Sequence, residues 1–409
     1  MAALMPLEEA QTRLLALARP LPIEHLAIDA TQDRYLTEPL RARRTQPAAD
    51  LSAMDGYAVA SGALTGGAVI DDILAGPWRV IGESAAGHPF GRPLQPGEAV
   101  RISTGAMLPD GAAAVLIQEN CARDGERLTL ISGTNRAGQH IRRQGMDFTE
   151  DRNLLPSGTR IGPAQIALAI TAGHSQLPVC RVPHVAIIDS GDELSTPGEP
   201  CPPHRIPASN GAMVAALARI VPCRITRLGP IADELPALLA ALDTAHGADV
   251  IVTTGGASVG DHDLIGPALR EWGATIDFWK VAIKPGKPLL VARRGTQIIL
   301  GLPGNPVSSL VTAYLFLLPV LRALLGAGQC LPRPIMASST TPLPATGNRR
   351  EFLRAQWDGS VITVVESHDS GALASLAVCN TLVDRPPNSP ATPAGGIVPA
   401  YLLESGGIA

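Results

Sequence analysis

Between His184 and about Leu325 the chain alternates two textures. Short runs of aliphatic and β-branched residues, HVAIIDSG, CRITRLG, DVIVTTGG and QIILGLPG, are separated by longer stretches, NGAMVAALARIV, ADELPALLAALDTAH and HDLIGPALREWG, with a further helix from Val307. Strands that read as apolar runs and alternate with helices predict a parallel sheet covered on both faces. Elsewhere the pattern differs. Leu7, Leu14, Leu15 and Ala18 fall near helical spacing and predict an amphipathic helix. From Ala48 to about Gln144, pieces such as MDGYAV, LQPGEAVRISTG, AAAVLIQENC and RLTLIS alternate with Gly and Pro and predict a small all-β unit. A helix from about Pro163 to Ala172 follows, and after Leu331 strands and prolines return in REFLRAQW, SVITVVES and TLVDRPP. The expected organisation is a discontinuous helical and β linker domain over residues 1–45 and 146–178, a β-rich insert over 46–145, an α/β domain over 179–327 and a carboxyl-terminal β domain over 328–409.

One stretch has the length of a membrane span, SSLVTAYLFLLPVLRALLGAG from Ser308 to Gly328. Pro319 and Arg322 interrupt it and the turn GLPGNP precedes it, so a buried core helix is expected, with Asn305 as cap and Pro306 at the first helical position. No membrane partner is therefore expected. Lys+Arg 33 against Asp+Glu 37, a formal net charge of -4, argue against a general basic surface for nucleic acid. The six cysteines are scattered, without a Cys-x-x-Cys, and predict reduced thiols in a cytoplasmic protein. Glu8 and Glu9 stand where a signal peptide would be basic.

Ligands of an open parallel sheet gather beyond the carboxyl ends of its strands, and three loops fall there: IIDSGDELS, TTGGASVGDHD and GLPGNPVSS. Their glycines allow close backbone approach to an anion, although each loop alone is also an ordinary tight turn. Asp192, Glu193, Asp261 and Asp263 would repel a phosphate at that edge unless a hard divalent cation such as magnesium bridged them. WKVAIKPGKPLLV brings Lys280, Lys284 and Lys287 on a strand and a Pro-Gly turn. Asp55-Gly56 reads by default as a hairpin turn, and Thr104-Gly105 as another turn. No nucleophile elbow, Walker lysine or zinc-protease motif occurs, which favours electrostatic positioning over covalent catalysis.

Taken in order, SAMDGYAV, RISTGAMLPDGA, SGDEL, TTGGASVGDHD, FWKVAIKPGKP and GLPGNPVSS resemble the molybdopterin molybdenumtransferase family, MoeA in bacteria and the E domain of gephyrin, over nearly the whole chain. The resemblance implies a multidomain fold of α/β plus β type: a central MoaB/MogA-like parallel-sheet α/β domain, a β-rich inserted domain and a carboxyl-terminal β-barrel, in a homodimer. It implies adenylylated molybdopterin and molybdate as substrates, Mg2+ as cofactor, and a molybdopterin adenylyltransferase and molybdoenzymes or their chaperones as partners. It places Asp55, Thr104, Glu193, Asp233, Asp263, Lys280 and Lys284 in the catalytic cleft. Gly255, Gly256, Ser258, Gly260, Lys287, Pro303, Gly304, Asn305, Arg350 and Ser370 would bind substrate, with Arg349 an alternative to Arg350, and Glu193, Asp261 and Asp263 would bind the metal. The chain departs from the family pattern at Ala208, where an acid commonly precedes Ser-Asn, and more mildly at Ser190 and Ala257. A non-catalytic pterin-binding or scaffold protein and an adenylyltransferase are the competing readings.

Overall fold

The computed structural model describes residues 4–61, 76–133, 136–255, 264–365, 369–404 and 406. They form two compact units: residues 39–156 with 163–175, and residues 1–38, 157–162 and 176–409.

The first unit is built on strands β1 (Gly56–Ala60), β2 (Trp78–Ser84), β3 (Glu98–Ile102), β4 (Ala112–Ile117), β5 (Cys121–Asp124) and β6 (Arg127–Leu130), in the sheet order β4-β1-β3-β2-β6-β5. Tyr57, Val59, Trp78 and Leu116 fill one face, and Ala58, Val100, Ile102 and Val115 the other, as the period of two requires.

In the second unit the α/β region runs β7 (His184–Ser190), α1 (Asn210–Ala218), β8 (Arg224–Ile231), α2 (Leu235–Thr244), β9 (Val250–Thr254), α3 (Ile265–Glu271), β10 (Thr275–Trp279), β11 (Ile283–Lys284), β12 (Leu290–Arg294), β13 (Gln297–Leu302) and the helix α4 (Pro306–Leu324). The sheet order is β8-β7-β9-β13-β12-β10. Its first four strands are mutually parallel, and β12 and β10 add antiparallel pairings at one side, which the alternation of strands and helices did not announce. Alternate residues of β7 point to opposite faces. Val185 and Ile187 join the core beneath α1 and α4, while Ala186 and Ile188 join that beneath α2 and α3. Burial on both faces explains why these strands read as unbroken apolar runs.

The membrane-length stretch is the core helix α4, with 94% of its apolar window buried. Leu7, Ala10 and Leu14 of the amino-terminal helix Leu7–Leu17 belong to the same core. Beyond it, β14 (Ile335–Ser339), β15 (Arg350–Trp357), β16 (Val361–Val364), β17 (Thr381–Arg385) and β18 (Ile397–Leu402) pair in the order β15-β16-β14-β18-β17 and close through β15–β17 into a five-stranded barrel. The two-residue strand β11 docks on β15, placing Lys284 opposite Glu351.

Candidate active site

The cleft begins at the carboxyl ends of β7 and β9. Asp189, next to last in β7 and only 3% exposed, accepts hydrogen bonds from the Gly211 amide at 2.8 Å and from the Thr254 hydroxyl. Its other oxygen lies 3.4 Å from the Arg227 guanidinium. The carboxylate packs so closely over α1 that a Cβ on Gly211 would fall 2.2 Å from it. Gly255, at φ +109°, takes a conformation that suits glycine, and a Cβ there would lie 2.7 Å from the Ser190 carbonyl. Asp189, Ser190, Glu193, Ala208, Asn210 and Gly304 surround a cavity of about 50 Å³. Sequence reading missed Asp189, because an acid that ends an apolar strand looks like the start of a loop.

Glu193 and Asp233 come together through Asp192, whose carboxylate accepts the Asp233 amide at 3.1 Å. Burial, followed by the charges of Asp192 and Glu193, raises the Asp233 carboxyl above the ordinary aspartate range. Among the described residues no group of three His, Cys, Asp or Glu side chains could hold a metal ion. These acids alone therefore do not make a metal centre. Gly256, Ser258, Gly260, Asp261 and Asp263 lie outside the described residues.

A second cleft adjoins the first. Pro306 lines the first and Val307 the second, where Lys284, Glu351, Arg354 and Ser370 meet. Asn305 occupies the cap position of α4 with Pro306 following, as expected, but its side chain does not cap: it donates to Ser370 Oγ at 3.0 Å. The Ser370 carbonyl accepts the Val307 amide at 3.1 Å, and the Gly304 carbonyl accepts the Asn210 side-chain amide at 2.6 Å. Pro303 is buried just before this turn. Lys284 Nζ pairs with Glu351 at 3.2 Å. A further cavity of about 290 Å³, open to Lys284 and Glu351, extends into the barrel toward Arg385.

Not every expected residue joins these clefts. Lys280, held at φ +72°, sets its ammonium over the Trp279 ring at 5.1 Å, and Lys287 is exposed; neither is part of the described lining. Arg350 is engaged elsewhere, with Nε and Nη2 held by Asp384 at 2.6 and 2.5 Å and Nη1 by Glu8, and it is not part of the described lining of either cleft. The guanidinium in the cleft belongs to Arg354, four residues on, which donates to Ser375 Oγ at 2.6 Å and to the carbonyls of Ala372 and Asp369.

Asp55 and Thr104 meet in the β-rich unit, where the Thr104 amide donates to the Asp55 carboxylate at 2.6 Å and holds it below the usual carboxylate range. The hairpin reading of Asp55-Gly56 fails. Strand β1 pairs with β3 and β4, while the preceding Leu51–Ser52 pairs with Ile141–Arg142. Gly56 is required for another reason, since a Cβ would press on the Leu116 carbonyl at 1.8 Å.

Comparison with known proteins gives the same reading in two steps. Residues 5–173 match the MoeA N-terminal region (domain I and II), 186–323 a probable molybdopterin binding domain, and 337–403 the MoeA C-terminal region (domain IV). Fold and clefts thus define a multidomain protein in which a molybdopterin-binding type of α/β domain lies between MoeA-type flanks. The molybdopterin molybdenumtransferase of Nostoc sp. is 34% identical over 371 residues, covering 87% of this chain and 83% of that one. That of Bacillus subtilis is 32% identical over 407 residues, covering 98% and 94%. The crystal structure of the molybdopterin biosynthesis MoeA protein from Pyrococcus horikoshii superposes with a TM-score of 0.83 at 25% identity, covering 98% of this chain and 100% of that one. The chain belongs to the molybdopterin molybdenumtransferase family.

Proposed function

We propose that the chain inserts molybdenum into molybdopterin: it binds adenylylated molybdopterin, accepts molybdate, hydrolyses the adenylate and releases AMP with the molybdenum cofactor. The observation that carries this is the pair of clefts joined at Pro306–Val307, one lined by acids and the other by Lys284 and Arg354. Lys284 and Ser370 would hold the oxyanion, with Arg354 adding positive charge to the same cleft. Magnesium, held by Glu193 with Asp261 and Asp263, would neutralise phosphate charge. Lys280, Lys287, Asp233 and the pair Asp55 and Thr104 remain site residues on the family resemblance.

We further infer a cytoplasmic homodimer of four-domain protomers that takes its substrate from an adenylyltransferase and passes product to molybdoenzymes or their chaperones. The antiparallel pairing of Ile23–Ala27 with Gln176–Cys180 supports a discontinuous linker domain. Purified protein given adenylylated molybdopterin, molybdate and magnesium is expected to release AMP. Lys284→Ala and Asp263→Ala should each slow release by about tenfold or more. Unchanged turnover in both would remove these residues from the mechanism, and pterin binding without AMP release would favour a scaffold. Sedimentation showing only monomer at micromolar concentration would contradict the dimer.

A further inference from the structure

The carboxyl-terminal barrel holds a buried charge that no described residue balances. On β17, Val383 belongs to the apolar cluster inside the barrel, with Ala355, Ile362 and Ala400. Side chains alternate between the two faces of a strand, so Arg385 projects to the same side as Val383, at the end of that cluster. It is only 3% exposed. Its Nη1 donates to Thr392 Oγ1 and its Nη2 to the carbonyls of Pro344 and Pro390 at 3.0 and 2.7 Å, all of them neutral acceptors. Among the described residues its Nε has no hydrogen-bond partner and its guanidinium no salt bridge. Glu351 stands opposite Arg385 in the β15–β17 ladder, yet its carboxylate pairs with Lys284 Nζ at 3.2 Å. Asp384, on the other face of β17, is held by Arg350.

A guanidinium cannot shed its charge in a protein, and a buried charge is costly unless it is paired. The space beside Arg385 has room for the missing anion. The cavity of about 290 Å³ that it lines is walled by Pro342, Leu343, Pro344, Leu353, Val364 and Val365. An apolar cavity of about 150 Å³ already admits benzene. Such walls suit a hydrocarbon body and not the hydration shell of a small inorganic oxyanion. Lys284 and Glu351 offset one another, which leaves the charge of Arg385 for a monoanion, and its planar fork matches a carboxylate. The wall is also held in shape. Leu343 and Thr392 exchange backbone hydrogen bonds, and Thr346 Oγ1 donates to the Pro386 carbonyl at 2.7 Å and accepts the Ser389 amide at 2.8 Å. We propose that the barrel cavity is a binding site for a small monocarboxylic acid with an aromatic or branched aliphatic body, its carboxylate against Arg385 and its body against Leu343, Leu353 and Val364. The site is distinct from the cleft of Arg354 and Ser370, with which it shares a wall that includes Lys284 and Glu351.

The test is titration calorimetry of the full chain with phenylacetate and with its neutral isostere phenylacetamide. The acid is expected to bind about tenfold or more tightly than the amide, as for a hydrogen bond to a charged group out of water. Arg385→Gln should bring that ratio to within about threefold, whereas a merely structural arginine would weaken acid and amide alike. Two bulky substitutions at half-buried wall positions then locate the site. Thr341→Trp fills the barrel cavity and should abolish binding of the acid, with Arg385 itself unchanged. Ser370→Trp fills the neighbouring cleft and should leave the Kd within about threefold of the parent value. Should Arg385→Gln not fold, the two tryptophan variants carry the test. The proposal is overturned if phenylacetate binds more weakly than about millimolar, if acid and amide bind alike, or if the acid still binds to Thr341→Trp. Loss of binding in Ser370→Trp alone would place the acid in the cleft of Lys284 and Arg354 and overturn it equally.

Discussion

Arg350 and Arg354 share strand β15, and their partners separate their roles. The Arg350 side chain is 18% exposed and that of Asp384 2%, so Arg350→Met would strand a buried carboxylate, with the Tyr401 hydroxyl at 3.3 Å as its remaining partner. A loss of about 3 kcal/mol in urea unfolding is expected, with the KM for pterin substrate unchanged; a loss below about 1 kcal/mol would show the pair to be dispensable. The motif NRREF offered two arginines, Arg349 and Arg350, and nothing local distinguished them, because Asp384 lies on another strand. Gly211→Ala tests packing over Asp189, and its 2.2 Å clash should cost about 1–3 kcal/mol. Asp233 supplies a pH test. An acid raised in the folded state favours its neutral form, so its contribution to stability is lost as pH rises from the ordinary aspartate range through the raised value. In metal-free protein Asp233→Asn should therefore melt higher than the parent at neutral pH, with the gap closing below the ordinary aspartate range; a constant gap would place its effect elsewhere.

Helix α4 shows what an element owes to distant chain. Pro319 cannot donate to the carbonyl of Leu315, and the helix passes through a π-helical turn at Ala313–Leu317 just before it. That carbonyl accepts instead from the Gln11 side-chain amide at 3.0 Å, across 304 residues of sequence. Gln11→Leu should cost about 1–3 kcal/mol in chemical denaturation, because the buried carbonyl loses this donor. Pro319→Ala in the same chain should restore part of the loss by returning a helical donor, and strict additivity of the two changes would deny the coupling. The helix itself was legible in the sequence, through its length, its apolar content and the Asn-Pro start. The Gln11 contact was not, since a polar residue in an amphipathic helix is ordinarily read as solvent-facing. The antiparallel strands had a local signal: Gly295, at φ +58°, and Thr296 form a two-residue turn between Arg294 and Gln297. The loops after β7 and β13 lie at the cleft, as expected, because topology alone fixes where such loops fall.

At the scale of the whole chain, each compact unit has hydrophobic clusters of its own, around Trp78 and Val100 in the β-rich unit and around Val252 and Ile251 in the other. The backbone passes between the units near residues 38, 156, 162 and 175, so the β-rich unit is an insertion within the chain that forms the clefts. Separate cores of this size are expected to unfold as separate cooperative steps. Calorimetry should then show two transitions, and ligand should not move them alike. A ligand seated between Asp189 and Lys284 contacts the unit that carries both residues, so saturation at about 100 times Kd should stabilise that unit by about 2.7 kcal/mol, while the other transition moves only as far as Asp55 and Thr104 share the ligand. A single transition that shifts as a whole with ligand would mean that the units fold as one body. A shift confined to the β-rich transition would place the ligand with Asp55 and Thr104 instead.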